Sequence, residues 1–268
     1  MKYVVDNDLH IHTHLSICSD DDEQTPINIL QIAKKRKMKT ICITDHYWDD
    51  AVPCNTGVNW WYEKQNFEHI SQSLPLPKDD EVRFLFGCEV DLDSSLHVGL
   101  PRSRWDDFDF IIVSTTHFHH LTAEGMGNYD EPTLAKVWVK RLEAVLNSDL
   151  PFKKVGIAHL ACGLIAMDSR EKALRILDLI PESEMKRLFK KAAELGAGIE
   201  LNYDDIKCKD EEVKTIYRMF HIAKGCGCKF YLGSDAHERV AFDNVDVAFA
   251  RAIDILGLEE EDKFLLAD

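Results

Sequence analysis

The chain has no apolar run long enough to span a membrane as a helix; its longest, such as Phe110 to Val113, are strand-sized. It is also short of positive charge. Against 47 Asp and Glu it sets 32 Lys and Arg, for a formal net charge of −15. That balance argues against nucleic acid as a partner, because a general footprint on a phosphate backbone needs a basic face. It leaves room for a local basic pocket, and for bound divalent cations, whose charge the formal count omits. Among eight cysteines there is no Cys-x-x-Cys pair, and Cys226-Gly227-Cys228 has no counterpart with which to form a zinc knuckle. Cys42 and Cys88 lie inside apolar strand-like segments, where thiols behave as small hydrophobes. Cys18 stands apart, because a cluster of histidines precedes it. No Gly-x-Gly-x-x-Gly follows any strand-like segment, so nothing points to a dinucleotide site. At the N-terminus Asp6 interrupts the apolar residues too early for a secretion signal. These absences lead to the expectation of a soluble, cytoplasmic protein with no membrane-spanning helix and no disulfide framework.

What is present is a β-α rhythm. A hydrophobic content of 45% over 268 residues supplies a sizeable core for one α/β barrel or two smaller domains. Strands are expected at the segment ending in Asp8 to Thr13, at 40–44, 82–92, 109–114, 154–158, 197–201 and 229–233. Helical periodicity fills the intervals. Thr25-Pro26 starts a helix that runs to about Lys37, and others are expected at 60–73, 132–146, 170–179, 182–195, 211–223 and 242–256. The acidic run 259–262 reads as solvated surface or a short helix start. Strands alternating with helices imply a parallel sheet with helices outside. Seven of them without a linker point to one α/β domain over 1–268, a closed or nearly closed barrel one strand short of eight. An open doubly wound sheet is the alternative.

The chemistry-bearing residues fall where strands end. In His10-Ile11-His12 two imidazoles project from the same face of the first strand and can grip one ion. His46, His117, His159 and the pair Asp235/His237 each follow another strand directly. Glu89 sits within the third strand, among residues whose alternation places Phe84, Phe86, Cys88 and Val90 on the opposite face. A lone buried carboxylate is costly unless paired or bound to a metal. In parallel β/α barrels the carboxyl ends of the strands converge on one rim, where active sites form. Donors of this number exceed the four that one zinc takes, and Glu89 is suited to bridging two ions. Nitrogen and oxygen donors favour zinc, manganese or iron over soft-metal sites.

The motifs DLHIHTH at 8–14, ITDH at 43–46, GCEVD at 87–91, STTH at 114–117, IAHL at 157–160 and GSDAH at 233–237 occur in an order that resembles the polymerase and histidinol phosphatase (PHP) family of metal-dependent phosphoesterases. The resemblance covers the chain from Asp8 to about Val240. It implies a distorted seven-stranded (β/α)7 barrel, TIM-like, with two or three divalent metal ions (Zn, Mn or Fe) at its carboxyl rim. It further implies that His10, His12, Glu89 and Asp235 hold a first ion and that Glu89 bridges to a second held by His117 and His159. His46 and His237 would hold a third, with one more ligand from the loop after the first strand. Asp20 is the favoured residue there, with Cys18 and His14 as alternatives.

Other residues carry two readings. Asp8 and Asp45 flank ligands and are expected to orient imidazoles. Glu200 and Asn202, at the sixth strand's end, suit either substrate or loop backbone. His119 and His120 read as substrate-loop or surface residues; His69, His97 and His221 read as structural or exposed. Trp60-Trp61 reads as packing, though the 47–61 loop leaves the rim beside His46 and can cover a substrate. Arg102, Arg104, Arg170 and Arg239 are candidates for a phosphate clamp. The expected reaction is hydrolysis of a small phosphomonoester, histidinol phosphate being the leading case by resemblance, with catalytic roles for His10, His12, Glu89, Asp235 and His237. An amidohydrolase-type barrel acting on a lactone or amide, or a non-catalytic metal-binding module, are the rivals. The amidohydrolase pattern bridges its metals with a modified lysine on the fourth strand, and none occurs in 109–116.

Overall fold

The computed structural model describes residues 1–54, 59–118 and 129–266. In chain order its elements are β1 (Asn7–Ile11), α1 (Pro26–Lys35), β2 (Thr40–Ile43), β3 (His46–Tyr47), α2 (Asn59–Tyr62), α3 (Phe67–Ile70), β4 (Arg83–Asp91), β5 (Phe110–Ser114), α4 (Glu131–Leu146), β6 (Val155–Ala158), α5 (Arg170–Leu179), α6 (Glu182–Leu195), β7 (Gly198–Asn202), α7 (Tyr203–Ile206), α8 (Val213–Gly225), β8 (Lys229–Gly233) and α9 (Val245–Leu256). Every strand pairing is parallel, in the order β1-β2-β4-β5-β6-β7-β8. β3 is a two-residue continuation of the β2 line, paired with β4 so that His46 sits opposite Glu89. The ends of the sheet meet: Ile11 bridges Ala236, and Asp235 N donates to His10 O at 2.8 Å. The result is a nearly closed TIM-like barrel of seven principal strands, as the alternation of elements implied, and the open doubly wound sheet is set aside.

Side-chain alternation sorts the core into two compartments. Ile41, Ile43, Phe86, Cys88, Val90, Ile111 and Val113 point outward and pack beneath the helices. Leu9, Cys42, Leu85, Phe110, Ile112, Ala158 and Tyr231 fill the barrel interior with Phe264, which the C-terminal segment brings in by pairing Phe264 N with Phe230 O at 2.8 Å. That apolar plug occupies the end of the barrel where the strands begin. Toward the carboxyl ends the same inward positions become polar: Glu89 follows Leu85 and Gly87 on β4. In β1 the register with β2 shifts between Asp8 and Ile11. Such a bulge re-aims side chains, and here it turns His10 inward although Leu9 beside it also faces the interior.

One expected helix breaks up. The segment 60–73 forms α2, α3 and a 3-10 turn at Ser71–Ser73 rather than one helix. Asn66 caps α3 by accepting from His69 N, and Gln65 is buried with its amide oxygen on Ile17 N at 3.2 Å. Both commitments interrupt the helical ladder. The final helix begins at Val245 rather than Phe242, after a 3-10 turn at Arg239–Phe242. Among the described residues, no helix is long and apolar enough to cross a membrane.

Candidate metal centre

Six imidazoles and two carboxylates from six segments meet at the carboxyl rim. Glu89, only 1% exposed, is their centre. Its Oε2 faces His10 Nε2 at 3.4 Å, His12 Nε2 at 3.3 Å and His46 Nδ1 at 3.0 Å. Its Oε1 faces His159 Nε2 at 3.1 Å and His117 Nε2 at 3.9 Å, and accepts from Ser114 Oγ. Asp235 completes the ring, with Oδ1 3.1 Å from His12 Nε2 and 3.4 Å from His10 Nε2. His237 stacks on His12, ring centroids 4.0 Å apart and planes 12° from parallel. Candidate ligand atoms within 4.8 Å of one another form the groups His10/His12/Asp235, His10/Glu89/His159 and His12/Cys18/His46/His237.

The outer hydrogen bonds decide which ring nitrogen faces inward. Ser16 Oγ donates its single proton to Asp45 Oδ1 at 2.8 Å, so it accepts from His12 Nδ1, also 2.8 Å away. His10 Nδ1 donates to Glu200 Oε1 at 2.6 Å and His237 Nδ1 to the carbonyl of Asp235 at 2.8 Å, while His117 Nδ1 lies 2.9 Å from Asp91 Oδ1 as an ion-pair contact without hydrogen-bond alignment. In His10, His12 and His237 the proton is held on Nδ1, and the Nε2 lone pair is left for an ion. This is the arrangement by which outer partners fix metal-binding histidines. The consequence is an unusual contact, His10 Nε2 against His12 Nε2 at 3.1 Å, with no proton available between them in that tautomer. Glu89 Oε2, buried among these nitrogens, accepts no hydrogen bond. Cations between these groups would satisfy all of them at once, so the donor set fits divalent ions.

Electrostatics point the same way. Burial opposes charge on Glu89, yet His46 and His10 hold its carboxyl well below the usual range, and Asp235 is likewise depressed by His10 and His12. Burial also opposes protonation of His10, but Glu200, Asp235 and Glu89 hold it well above the ordinary imidazole value. Two ligand positions carry backbone strain: His159 and Asp235 have φ of 59° and 53°. Non-glycine residues rarely adopt that conformation, and it clusters at functional sites. Gly233 matters for a different reason. A Cβ there would lie 2.0 Å from Glu200 Oε1 and 2.8 Å from His10 Cβ. Only glycine lets β8 pass this close behind the His10–Glu200 pair.

Eight of the nine ligand candidates therefore converge. Asp20 does not: it is exposed and lies in none of these groups, while Cys18 joins His12, His46 and His237. The turn closed by Ser19 N on Ser16 O at 2.9 Å directs Cys18 inward and carries the chain away before Asp20. His14 is exposed too. Asp45 anchors Thr13 and Ser16, whereas Asp8 binds Arg36 Nη1 at 2.7 Å and Ser234 N at 2.9 Å instead of an imidazole. Glu200 holds His10 and the backbone N of His159, and Asn202 caps α7 and donates to Asp235 Oδ2 at 3.5 Å. Sequence reading passed over Ser16 and Asp91, although Asp91 shares Glu89's strand face two residues on, which was a usable signal.

A cleft of about 260 Å³ opens over the centre, lined by Cys18, Trp61, Cys162, Leu164 and Asp204 besides the candidate ligands. Trp61 packs edge-on to His46, centroids 5.9 Å apart. Among the described residues no lysine or arginine lines the cleft. Arg104 pairs with Asp49 at 3.1 Å, Arg170 with Glu212 at 3.0 Å and Arg239 with Asp21 at 2.8 Å, and Arg102 lies over Trp105. His69 Nε2 lies 2.8 Å from Leu15 O and His97 Nδ1 3.0 Å from Asp93 Oδ2, while His119 and His120 lie outside the described residues.

A family model for the PHP domain matches residues 8–204. No curated protein matches the chain by sequence. Among the solved structures that share the fold are two histidinol phosphatases. One is histidinol phosphate phosphatase from Lactococcus lactis subsp. lactis Il1403, complexed with zinc, L-histidinol and phosphate, at 15% identity and TM-score 0.55 over 97% of this chain and 98% of that one. The other is a candidate histidinol phosphatase from Listeria monocytogenes, at 11% identity and TM-score 0.52 over 88% and 97%.

Proposed function

The chain belongs to the PHP domain family, and from that premise we propose that it is a metal-dependent phosphoesterase acting on a small phosphomonoester. The observation that carries this reading is the Glu89 carboxylate surrounded by imidazoles whose Nε2 lone pairs, in His10 and His12, are freed by acceptors on Nδ1. His10, His12, Glu89 and Asp235 would hold a first ion, and Glu89, His117 and His159 a second. When bound, the ions supply Lewis-acid charge for the phosphate oxygens and acidify a water enough for it to act as nucleophile.

The chain's own part is preorganisation. Glu200 and the Asp45–Ser16 relay hold the imidazoles of His10 and His12 in one tautomer and orientation before substrate arrives, and the Asp91 carboxylate stands 2.9 Å from His117 Nδ1. Trp61 and Leu164 narrow the cleft and limit bulk water. With no lysine or arginine among the described residues lining the cleft, neutralisation of the phosphate falls on the centre itself, and turnover is expected to depend on bound ions. A cleft of about 260 Å³ suits a small alcohol rather than a polynucleotide. The zinc, L-histidinol and phosphate in the Lactococcus structure make zinc and histidinol phosphate the first combination to try.

The test is a hydrolysis panel of histidinol phosphate, nucleotides and sugar phosphates, run with Zn, Mn and Fe beside a lactone and an amide. Phosphate release that needs added ion and stops with chelator is expected. Hydrolysis of the lactone or amide alone would move the chain's chemistry to the amidohydrolase class. Ion binding without any turnover would make it a metal-binding module.

A further inference from the structure

Among the described residues, Cys18 is the one sulfur donor grouped with three histidines of the centre: one candidate ligand atom from each of His12, Cys18, His46 and His237 lies within 4.8 Å of the others. It is half-buried, forms no disulfide and lines the cleft beside His46 and His237. Its loop is tied on both sides to the segments that carry those imidazoles. Before it, Ser16 binds Asp45 Oδ1 at 2.8 Å and receives His46 N at 3.3 Å. After it, Ser19 Oγ donates to the carbonyl of His237 at 2.6 Å. Between them, Ile17 N is held by the buried Gln65 at 3.2 Å. A loop fixed at these points presents its thiol to the two imidazoles, and residue 20 falls outside.

We propose that Cys18 completes a third ion position as a thiolate ligand, together with His46 and His237 and beside the ring of His12. The inference rests on the metal-dependent reading above and adds the identity of the third donor. When the S–metal bond forms, the thiol proton leaves to solvent, so no redox partner is required. Two imidazoles and a thiolate make a softer set than imidazoles and carboxylates alone. This position should therefore take zinc or cobalt in preference to manganese, whereas the two positions around Glu89 accept either.

The test is a cobalt(II) titration of the metal-stripped full chain, followed by near-ultraviolet absorbance, bound-cobalt content and alkylation of Cys18 read by peptide mass. In the wild type, a thiolate-to-cobalt charge-transfer band should grow with the last equivalent bound, and Cys18 should become protected from alkylation. Cys18→Ser should lose the band and one bound cobalt. Cys18→His should keep the cobalt and lose the band, which separates loss of a ligand from loss of the fold. A cobalt-loaded wild type without the band, or with Cys18 alkylated as fast as before, overturns the proposal. A band that survives in Cys18→Ser does so too, and moves the sulfur to Cys162, which is grouped with His159 and Asp205. Band and protection in a chain that hydrolyses no phosphoester would uphold this inference while sinking the phosphoesterase reading. Ion-dependent hydrolysis without the band would do the reverse.

Discussion

Ser16 has one proton and two neighbours that compete for it, and Asp45 takes it. That settles the tautomer of His12, since only an N–H on Nδ1 can then meet the serine oxygen. Ser16→Ala should leave the fold intact and weaken ion binding by about 10–100-fold, the usual cost of losing an outer partner; calorimetric titration with zinc measures it, and unchanged affinity would mean the serine is incidental. Asp205 behaves differently. It is buried, accepts from Ala161 N at 2.9 Å, and burial pushes its carboxyl up from 3.8 to about 7. A folded pKa above the unfolded one means the fold prefers the protonated acid. The associated stability is complete below about pH 4 and lost as pH rises to about 7. In chelated protein, Asp205→Asn should match the wild type at low pH and exceed it at pH 8, by no more than about 4 kcal/mol. Urea melts at both pH values give the comparison, and a variant less stable at pH 8 would show the charged form to be the one held. At this scale the histidines could be read from sequence because each ends a strand. Residue 20 could not be excluded that way, because only the Ser16–Ser19 turn tells Cys18 from Asp20.

Arg141 lies on α4 among residues whose spacing predicts an apolar face, and it is fully buried. Its guanidinium donates to the carbonyls of Thr115 at 2.7 Å, Asp93 at 3.3 Å and Leu92 at 3.1 Å. Burial lowers its pKa to about 10, so it stays charged at neutral pH. It therefore clamps the segments that follow β4 and β5, the second of which carries His117. Arg141→Met strands three carbonyls and should cost about 3 kcal/mol or more, with ion binding at His117 weakened further than stability alone explains; thermal melts and zinc titration separate the two. Gly233→Ala is the matching test on β8. Its new Cβ cannot coexist with Glu200 where it now stands, so His10 should lose its partner and the first ion its tight binding, and wild-type zinc affinity would contradict this. The elements themselves were legible where they are long and periodic. Alternation along β4 placed Glu89 on the face opposite Phe86, Cys88 and Val90, and the barrel puts that face inside. The break of 60–73 was hidden, because Gln65 leaves the helix for a partner at Ile17 that local sequence does not reveal, and Asn66 then restarts it by capping His69 N.

For the whole molecule, closure of the sheet and the apolar plug under Phe264 account for stability at one end, while a set of like-facing donors crowds the other. A net charge of −15 adds self-repulsion that bound cations relieve. Zinc at a hundredfold excess over its Kd should stabilise the fold by about 2.7 kcal/mol per site, seen as a rise in Tm that chelator reverses; a Tm indifferent to both would deny the centre any ion. The barrel class was legible because strand–helix alternation is a property of the entire chain, and the rim position of the site followed from it. Which carboxylates and hydroxyls stand behind each imidazole was not, since Glu200 and Asp45 reach His10 and His12 only through closure of the sheet and the loop after β1. The central claim is that ions gathered around Glu89 hydrolyse a phosphomonoester. Its most direct measurement is bound-zinc content alongside phosphate release for the wild type and Glu89→Gln, both checked for fold by circular dichroism. The variant is expected to hold fewer ions and to lose more than about 100-fold in kcat/KM, beyond what loss of an outer partner costs; full ion content and a rate near that of the wild type would contradict it.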